Sequence, residues 1–367
     1  GGIDSSTIVS LMQSQSKQKI NTFSIGFDVE GFNEAEHAKA VANHLKTNHF
    51  DMYVTEQDAL DVIPNLHLIY DEPFADSSQI PTFLVSKIAK QKVTVALSGD
   101  AGDELFGGYN RYIFTKSMFG KIKKTPSLVK YLARKLIFSL SEESWNKYLG
   151  RLLENRFANL GYKLHKGADV INSASIRELH FKLASLIQNP SNWLINSTEP
   201  STILNDKVER FSEFNPIEQM MIYDLLTYLP TDILTKVDRA AMAVSLETRV
   251  PFLDPKVIEF SANLPLNYKI RDGQSKWILR ELLYKHVPKD LIERPKMGFA
   301  VPLAEWLRGP LREWAELLLD KRRLQNEGFF NVDVVREKWN EHVSGKRNWH
   351  YQLWNVLIFQ IWLENNN

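Results

Sequence analysis

A Gly- and Asp-rich turn that directly follows a short apolar run constrains this chain more than any other feature of its sequence. Residues 93–97 read Val-Thr-Val-Ala-Leu, and residues 98–109 read Ser-Gly-Asp-Ala-Gly-Asp-Glu-Leu-Phe-Gly-Gly-Tyr. The apolar, β-branched run predicts a buried parallel strand. In an open α/β sheet, ligands bind beyond the carboxyl ends of the strands, where small residues let an anion approach backbone N–H groups and clustered carboxylates need a cation. The turn therefore predicts a site for a nucleotide, a phosphate and Mg²⁺.

A second turn of this kind stands at the start of the sequence. Residues 1–6 read Gly-Gly-Ile-Asp-Ser-Ser and run into an apolar helical pattern over residues 7–12. Free N–H groups and the helix dipole favour a phosphate at a helix N-terminus. Asp4 is placed to hold the Mg²⁺ that accompanies such a phosphate. Simple N-capping by Asp4 and Ser5 explains the same residues equally well, so this turn alone leaves both interpretations open.

Strand and helix patterns alternate along the first third of the chain. Residues 21–27 and 48–54 have the composition of strands, and residues 33–45 between them have the 3.6-residue period of an amphipathic helix. This β-α-β order predicts an α/β fold with a parallel twisted sheet and helices on both faces. The later pattern is helical. We therefore expect an α/β nucleotide-binding core at about 1–112, and a helical insertion and C-terminal helical part at about 113–367.

The composition excludes several classes of protein. The net charge of the 367 residues is +1, which gives no reason to expect nucleic acid or an anionic membrane as a partner. The chain has no Cys, which excludes disulfides, thiolate metal sites and a Cys nucleophile. A basic stretch at 116–135 is interleaved with apolar residues. A nucleic-acid surface is one interpretation of this stretch, and the solvated face of an amphipathic helix is the one that the balanced total charge favours.

Six blocks of sequence, in order and spread over most of the chain, resemble one enzyme family. Residues 1–6 are similar to the pyrophosphate loop Ser-Gly-Gly-x-Asp-Ser of the N-type ATP pyrophosphatases, without its first Ser. Residues 97–109 resemble the second signature of the synthetase domain of glutamine-dependent asparagine synthetase. The resemblance continues in four further blocks, at 228–239, 245–254, 275–280 and 294–299. It implies a Rossmann-like PP-loop ATPase fold with a large helical C-terminal extension, preceded by a first strand and an N-terminal glutaminase domain that lie upstream of Gly1.

The same resemblance implies a set of site residues. It assigns catalysis to Lys276 and Asp100, and Mg²⁺ binding to Asp4 and Asp103. The binding of ATP and pyrophosphate is assigned to Gly1, Gly2, Ser5, Ser6, Ile25, Ser98, Gly99 and Asp232. Asp100 stands where the family often has Glu, and its side chain is shorter by one methylene.

Two of these assignments also have an argument from the residues themselves. Lys276 opens a helical pattern, where its charge has the wrong sign for the helix dipole, so an anionic group is expected nearby. Asp224 and Asp232 frame Pro230, which must break or kink the helix that contains it. The family places an Asp near such a break against the ribose or the substrate, and the register leaves both Asp224 and Asp232 open.

The chemistry that the resemblance implies is the ATP-dependent amidation of a carboxylate. Its most direct form converts aspartate into asparagine through β-aspartyl-AMP, with ATP and Mg²⁺ as cofactors, ammonia from the glutaminase domain, and AMP and pyrophosphate as products. We expect a cytoplasmic location. Dimers are usual in the family, so a homodimer is possible, but the sequence does not set the oligomeric state. The P-loop pattern for γ-phosphoryl transfer is absent, because Gly108 and Tyr109 stand where it requires Lys and Ser or Thr.

Three alternatives stay open at this point. The first is a related amidotransferase that acts on another carboxylate, such as a sugar or peptide precursor of surface polymers. The second is an intramolecular amide closure of the β-lactam synthetase type. The third is a nucleotide-binding module without activity, which the retention of Asp4, Asp103 and Lys276 argues against.

Overall fold

The chain forms two compact units, and each of them is discontinuous in sequence. A computed structural model describes residues 2–27, 35–152, 160–206, 208, 210–294 and 301–366, except for the side chains of 149–152. The first unit comprises 1–113 and 224–301, and the second comprises 114–223 and 302–367. No helix among the described residues is long and apolar enough to cross a membrane.

The strands of the first unit pair in parallel. Strand β1 (Asn21–Phe27) pairs with β2 (Asn48–Val54) in a register that runs from Asn21 opposite Asn48 to Phe27 opposite Val54. Strand β3 (Val95–Leu97) pairs in parallel with β4 (Glu247–Arg249). Parallel neighbours need a crossover, and a helix supplies it between β1 and β2. The α/β class is confirmed, whereas one continuous sheet with helices on both faces stays a prediction, because the described strands form two separate pairs.

Most of the remaining described residues are helical. In chain order the helices are α1 (Ile3–Gln15), α2 (Ala35–Leu45), α3 (Glu56–Leu60), α4 (Leu66–Tyr70), α5 (Gln79–Lys90), α6 (Gly102–Phe106), α7 (Asn110–Lys124), α8 (Ser127–Phe138), α9 (Glu142–Leu152), α10 (Leu160–Val170), α11 (Ile176–Ala184), α12 (Pro190–Trp193), α13 (Pro216–Leu226), α14 (Thr235–Met242), α15 (Pro255–Asn263), α16 (Leu266–Lys269), α17 (Trp277–Leu283), α18 (Leu303–Arg308), α19 (Arg312–Leu318), α20 (Lys321–Glu327), α21 (Val332–Val343) and α22 (His350–Asn366). The chain passes between the units three times: within α7, within α13 and between residues 301 and 302.

Pro230 does not break the helix that contains it. The segment Leu229–Leu234 is a π-helix that joins α13 to α14 without an intervening loop. A π-helical turn accommodates a residue that cannot donate a backbone hydrogen bond, because the wider turn shifts the pattern of partners. This π-helix also contains Asp232, one of the predicted site residues.

The core of the first unit fixes the turn at 98–109. Its buried residues come from four separate parts of the chain: Ala101, Leu105, Phe106, Leu229, Phe252 and Leu279. The rings of Phe106 and Phe252 meet edge to face with their centroids 5.8 Å apart. Burying a side chain of this size contributes about 1.5–3 kcal/mol. Helix α6 is therefore held by the apolar residues of the Gly- and Asp-rich motif, which leaves the polar residues of the motif available for a site.

Candidate active site

The two Gly- and Asp-rich turns lie against each other. Gly99, at the end of β3, packs on the backbone of the first turn of α1. A Cβ atom on Gly99 would stand 2.6 Å from the backbone nitrogen of Ser5 and 2.9 Å from the carbonyl carbon of Asp4. Real Cβ atoms do not approach backbone atoms this closely, so this position requires glycine. The close approach places the residues of both turns within one small region.

Lys276 is the residue on which the carboxylates of both turns converge. Its Nζ atom forms an ion pair with the carboxylate of Asp4, and a second one with Oδ1 of Asp103 at 2.6 Å. The lysine is 4% exposed and takes a left-handed backbone conformation (φ 55°) at the N-terminus of α17. Burial lowers the pKa of Lys276, but the charges of Asp4 and Asp103 raise it more, so the pKa lies above its ordinary value. The ammonium group is therefore charged at neutral pH.

The loop after α6 is shaped to admit this lysine. A Cβ atom on Gly108 would overlap both the carboxylate of Asp103 and the side chain of Lys276. Gly108 also donates its backbone N–H to the carbonyl oxygen of Asp103 at 2.8 Å. The second of the two adjacent glycines in the motif is thus the one that leaves room for Lys276 to reach both carboxylates.

The carboxylates of Asp4 and Asp103 suit a Mg²⁺ site of one particular kind. Mg²⁺ in nucleotide sites is held by one or two carboxylates together with phosphate oxygens and water. Asp4 and Asp103 come from different turns and already share one cation, the Lys276 ammonium. Among the residues that the structure describes, no group of three or more His, Asp or Glu side chains is arranged to hold a metal. These two carboxylates therefore fit a Mg²⁺ that arrives with the phosphates of a nucleotide.

A second charged cluster is built around Lys236, at the start of α14. Its Nζ atom lies 2.5 Å from Oδ2 of Asp76 and 3.5 Å from Oδ1 of Asp232. Burial and the neighbouring Asp76 carboxylate raise the pKa of Asp232 to about 7. Burial also raises the pKa of Asp76, but the Lys236 charge outweighs it and leaves the pKa below the ordinary value. One of the two carboxylates thus stays ionised beside Lys236, while the other binds a proton near neutral pH.

Asp100 belongs to the surroundings of this second cluster. Burial raises the pKa of Asp100, and the neighbouring Ser98 and the Lys236 charge offset this only in part. A carboxylate whose pKa is raised is a stronger base than an ordinary carboxylate. Asp100 is therefore suited to proton transfer.

A third cluster encloses Asp224 completely. Asp224 is 0% exposed and accepts a hydrogen bond from the hydroxyl of Tyr112 at 2.5 Å. Arg111 forms an ion pair with it at 2.7 Å and lies over the ring of Tyr109 at 3.9 Å from the centroid. A side chain enclosed in this way does not reach a ligand. Asp232, whose side chain is 30% exposed, is thus the better of the two candidates that the sequence left open.

With this geometry in view, comparisons with known proteins identify the family. A sequence model of the family described as asparagine synthase matches residues 1–364. The chain belongs to the asparagine synthase family. The resemblance seen in the six sequence blocks is thereby confirmed.

Individual relatives agree with this assignment. The chain is 32% identical over 366 residues to asparagine synthetase (glutamine-hydrolyzing) 1 of Bacillus subtilis, a match that covers 99% of this chain and 54% of the relative. It is 32% identical over 363 residues to a putative asparagine synthetase (glutamine-hydrolyzing) of Mycobacterium bovis, covering 99% and 53%. A shorter match to putative asparagine synthetase (glutamine-hydrolyzing) 2 of Methanocaldococcus jannaschii is 42% identical over 137 residues, covering 37% and 26%. The chain spans about half the length of the curated relatives that it matches along its whole length.

The structure places the predicted site residues of this asparagine synthase family member in two groups. Asp4, Ser5, Gly99, Asp103 and Lys276 lie together where the two turns meet. Asp100 and Asp232 lie near Lys236, and Ser98 is a neighbour of Asp100.

The remaining predicted site residues belong to neither of these two groups. Gly2 is exposed at the N-terminus of α1, Ser6 is buried in that helix, and Ile25 is buried in β1. Gly1 lies outside the described residues, as does most of the block at 294–299, of which only Arg294 is described. The roles of all these residues stay predictions.

Sequence reasoning did not select Lys236, although a signal for it was available. Lys236 follows Asp232 by four residues in a helical stretch, a spacing that brings side chains together on one face. Its contact with Asp76 joins residues 160 positions apart and has no sequence signature.

The raised pKa of Glu104 predicts that the stability of the protein depends on pH. Burial raises the pKa of this carboxyl from 4.5 to about 7, although a hydrogen bond from the Tyr109 hydroxyl acts in the opposite direction. Because the folded pKa is above the unfolded one, this stabilising contribution is complete below pH 4.5 and is lost as the pH rises through 7. We expect the free energy of unfolding to fall by on the order of 3 kcal/mol across this range.

Urea unfolding at pH 5, 6, 7 and 8 measures this effect. Glu104→Gln should reduce the pH dependence without abolishing it, because Asp232, whose pKa is raised from 3.8 to about 7, contributes a slope of similar size in the same direction. Glu247→Gln, a change at a mostly exposed carboxylate, serves as the control and should leave the profile unaltered. A Glu104→Gln variant that is as pH-dependent as the parent protein would show that Glu104 is ionised throughout.

Proposed function

We propose that this chain catalyses the ATP-dependent amidation of a carboxylate, with aspartate as the acceptor and asparagine, AMP and pyrophosphate as products. The observation that carries the proposal is the meeting of Asp4 and Asp103, from two separate turns, at the buried ammonium of Lys276. The names of the relatives support asparagine as the product and glutamine as the source of ammonia. The ammonia donor is then a glutaminase domain, and the partners are small molecules.

The first step activates the carboxylate. An oxygen of the β-carboxylate of aspartate attacks the α-phosphorus of ATP, and the bond from the α-phosphorus to the bridging oxygen of the β-phosphate breaks. Pyrophosphate leaves, and β-aspartyl-AMP remains. Lys276 supplies positive charge where negative charge develops on the phosphates, and it does so from a fixed position, which is the most effective way to lower such a barrier.

The N-terminus of α1 is the proposed pyrophosphate site. Its free backbone N–H groups and the helix dipole favour an anion there. Gly1, Gly2, Ser5 and Ser6 would line this site. A bound Mg²⁺, held by Asp4 and Asp103, would neutralise phosphate charge. Ile25, Ser98, Gly99 and Asp232 would contact the nucleotide.

The second step forms the amide. The nitrogen of ammonia attacks the acyl carbon, the bond from that carbon to the AMP oxygen breaks, and AMP leaves. The nitrogen must lose one proton in the process. Asp100 would accept it, since burial raises the pKa of this carboxyl above its ordinary value and makes it a stronger base.

The test is an assay of the chain with ATP, Mg²⁺, ammonium and aspartate. We expect pyrophosphate release that depends on aspartate, with asparagine and AMP formed in equal amounts. Asp103→Ala should abolish it. Asp333→Ala, a change at a 91% exposed carboxylate, is the matched control and should leave it intact.

Two other results would change the proposal. Pyrophosphate release that does not depend on aspartate would keep the chemistry and assign another carboxylate as the acceptor, to be found by screening. A folded chain that releases no pyrophosphate with any carboxylate would contradict the enzymatic function.

A further inference from the structure

Helix α8 exposes an apolar surface that the second unit does not bury. None of its residues, all of which are described, is buried. Leu128, Leu132 and Leu136 are 67%, 55% and 63% exposed. Their spacing of four residues places them on one face of the helix, and Val129 lies beside them. These four residues are called the apolar stripe below. The sequence favoured an amphipathic helix whose polar face is solvated. In the structure, apolar side chains of α8 are also exposed to the solvent.

The same part of the chain is strongly basic. Between residues 105 and 141 there is no acidic residue. The basic residues of α7 and α8 after the start of the second unit are Lys116, Lys121, Lys123, Lys124, Lys130, Arg134 and Lys135. The stretch from 114 to 141 thus carries a charge of +7, whereas the whole chain carries +1. The total charge, from which no membrane partner was expected, conceals a local excess of positive charge.

We propose that the apolar stripe and the surrounding basic residues form a docking surface for an anionic lipid bilayer. A helix with exposed aliphatic residues and flanking lysines lies in the plane of a membrane interface, with its apolar side between the headgroups and its lysines near lipid phosphates. Each lysine near an anionic surface adds to the affinity, and the attraction weakens as salt is added. An anionic lipid surface thus accommodates both the exposed aliphatic residues and the lysines of this region.

Nucleic acid and a second copy of this chain would each account for only one of these two features. Nucleic acid would neutralise the lysines, but it is bound through phosphate contacts and aromatic stacking, which leaves aliphatic side chains such as Leu132 in water. A second copy of this chain would cover the leucines, but it would bring two strongly positive stretches together, which is unfavourable.

Co-sedimentation with vesicles tests the proposal directly. The chain should bind vesicles of equal parts phosphatidylglycerol and phosphatidylcholine at least about tenfold more tightly than vesicles of phosphatidylcholine alone. Raised salt should weaken the binding. Absence of binding to the anionic vesicles would overturn the proposal.

Two pairs of variants separate the apolar and the electrostatic contributions. Leu132→Gln combined with Leu136→Gln should weaken binding about tenfold or more, whereas Leu317→Gln, at a leucine that is 71% exposed elsewhere in the second unit, should not. Lys123→Glu combined with Lys124→Glu should remove the preference for anionic lipid, whereas Lys17→Glu combined with Lys19→Glu, at exposed lysines of the first unit, should not. All these side chains are exposed, so the variants should fold, which circular dichroism checks. An equal loss in the control variants would contradict the proposal.

Two further results would assign the surface to another occupant and so overturn the proposal. One is tight binding of single-stranded or duplex oligonucleotides without binding to vesicles, measured by fluorescence anisotropy. The other is a dimer that forms without lipid and is dissociated by the paired Leu132→Gln and Leu136→Gln changes, measured by analytical ultracentrifugation.

Discussion

Replacing Lys276 with methionine is expected to lower the kcat of aspartate-dependent pyrophosphate release by about 10²–10³-fold or more. Methionine keeps much of the length and volume of the side chain but removes the charge. The loss should persist at saturating ammonium, because the role proposed for the lysine is in the first step, before ammonia reacts. Initial rates of pyrophosphate release at saturating ATP and aspartate measure it.

Two further variants serve as controls for this prediction. Lys90→Met removes an ammonium group that donates a hydrogen bond to the carbonyl oxygen of Ser245 in the same unit, and it should leave kcat unchanged. Lys276→Arg keeps the charge on a larger, planar group, and it should recover only part of the activity, since Gly108 leaves room for a slender side chain. A Lys276→Met variant with more than about a tenth of the parental kcat would contradict the assigned role.

Replacing Arg111 with leucine is expected to destabilise the protein by about 3–5 kcal/mol. The change leaves Asp224, which is 0% exposed, without the guanidinium that lies 2.7 Å from its carboxylate. The hydroxyl of Tyr112 still donates to Asp224, but one neutral hydrogen bond does not compensate for a buried charge. Denaturant unfolding at neutral pH measures the loss.

The control for this prediction is an exposed ion pair in the same unit. Arg239 lies 3.2 Å from Asp71, and the two side chains are 47% and 71% exposed. Arg239→Leu should change the free energy of unfolding by no more than about 1 kcal/mol. The double change Arg111→Leu with Asp224→Leu should recover part of the stability, because it removes the unpaired charge. Equal effects of Arg111→Leu and Arg239→Leu would show that the burial of Asp224 is not what makes its partner important.

Local patterns in the sequence predicted local structure well. Strands β1 and β2 have the predicted bounds, because alternating and β-branched residues carry this signal within a few positions. Strand β3 covers only Val95–Leu97 of the predicted 93–97. Its partner β4, Glu247–Arg249, was not predicted, because three residues with two charges have no strand signature and acquire their conformation by pairing with β3.

For the site, the sequence likewise identified individual residues but not the contacts between them. The motifs identified Asp4, Asp103 and Lys276 as candidates, yet nothing in their spacing shows that one Nζ atom contacts two carboxylates. Likewise, the sequence could not decide between Asp224 and Asp232. The difference between them depends on Arg111 and Tyr112, which lie more than a hundred positions earlier in the chain. Long-range contacts of this kind have no periodic signal.

The position of Arg111, Tyr112 and Asp224 in the chain gives their contact a further consequence. The chain leaves the first unit after residue 113 and returns to it at residue 224. The contact of Arg111 and Tyr112 with Asp224 therefore holds together the two ends of the intervening segment. The segment 114–223 is then a helical insertion whose two ends are held together. The entropy of closing a loop grows slowly, with each doubling of length costing only about 0.6 kcal/mol. A change in the length of this segment should therefore cost the first unit little stability, as long as the segment keeps its packing with 302–367 in the second unit.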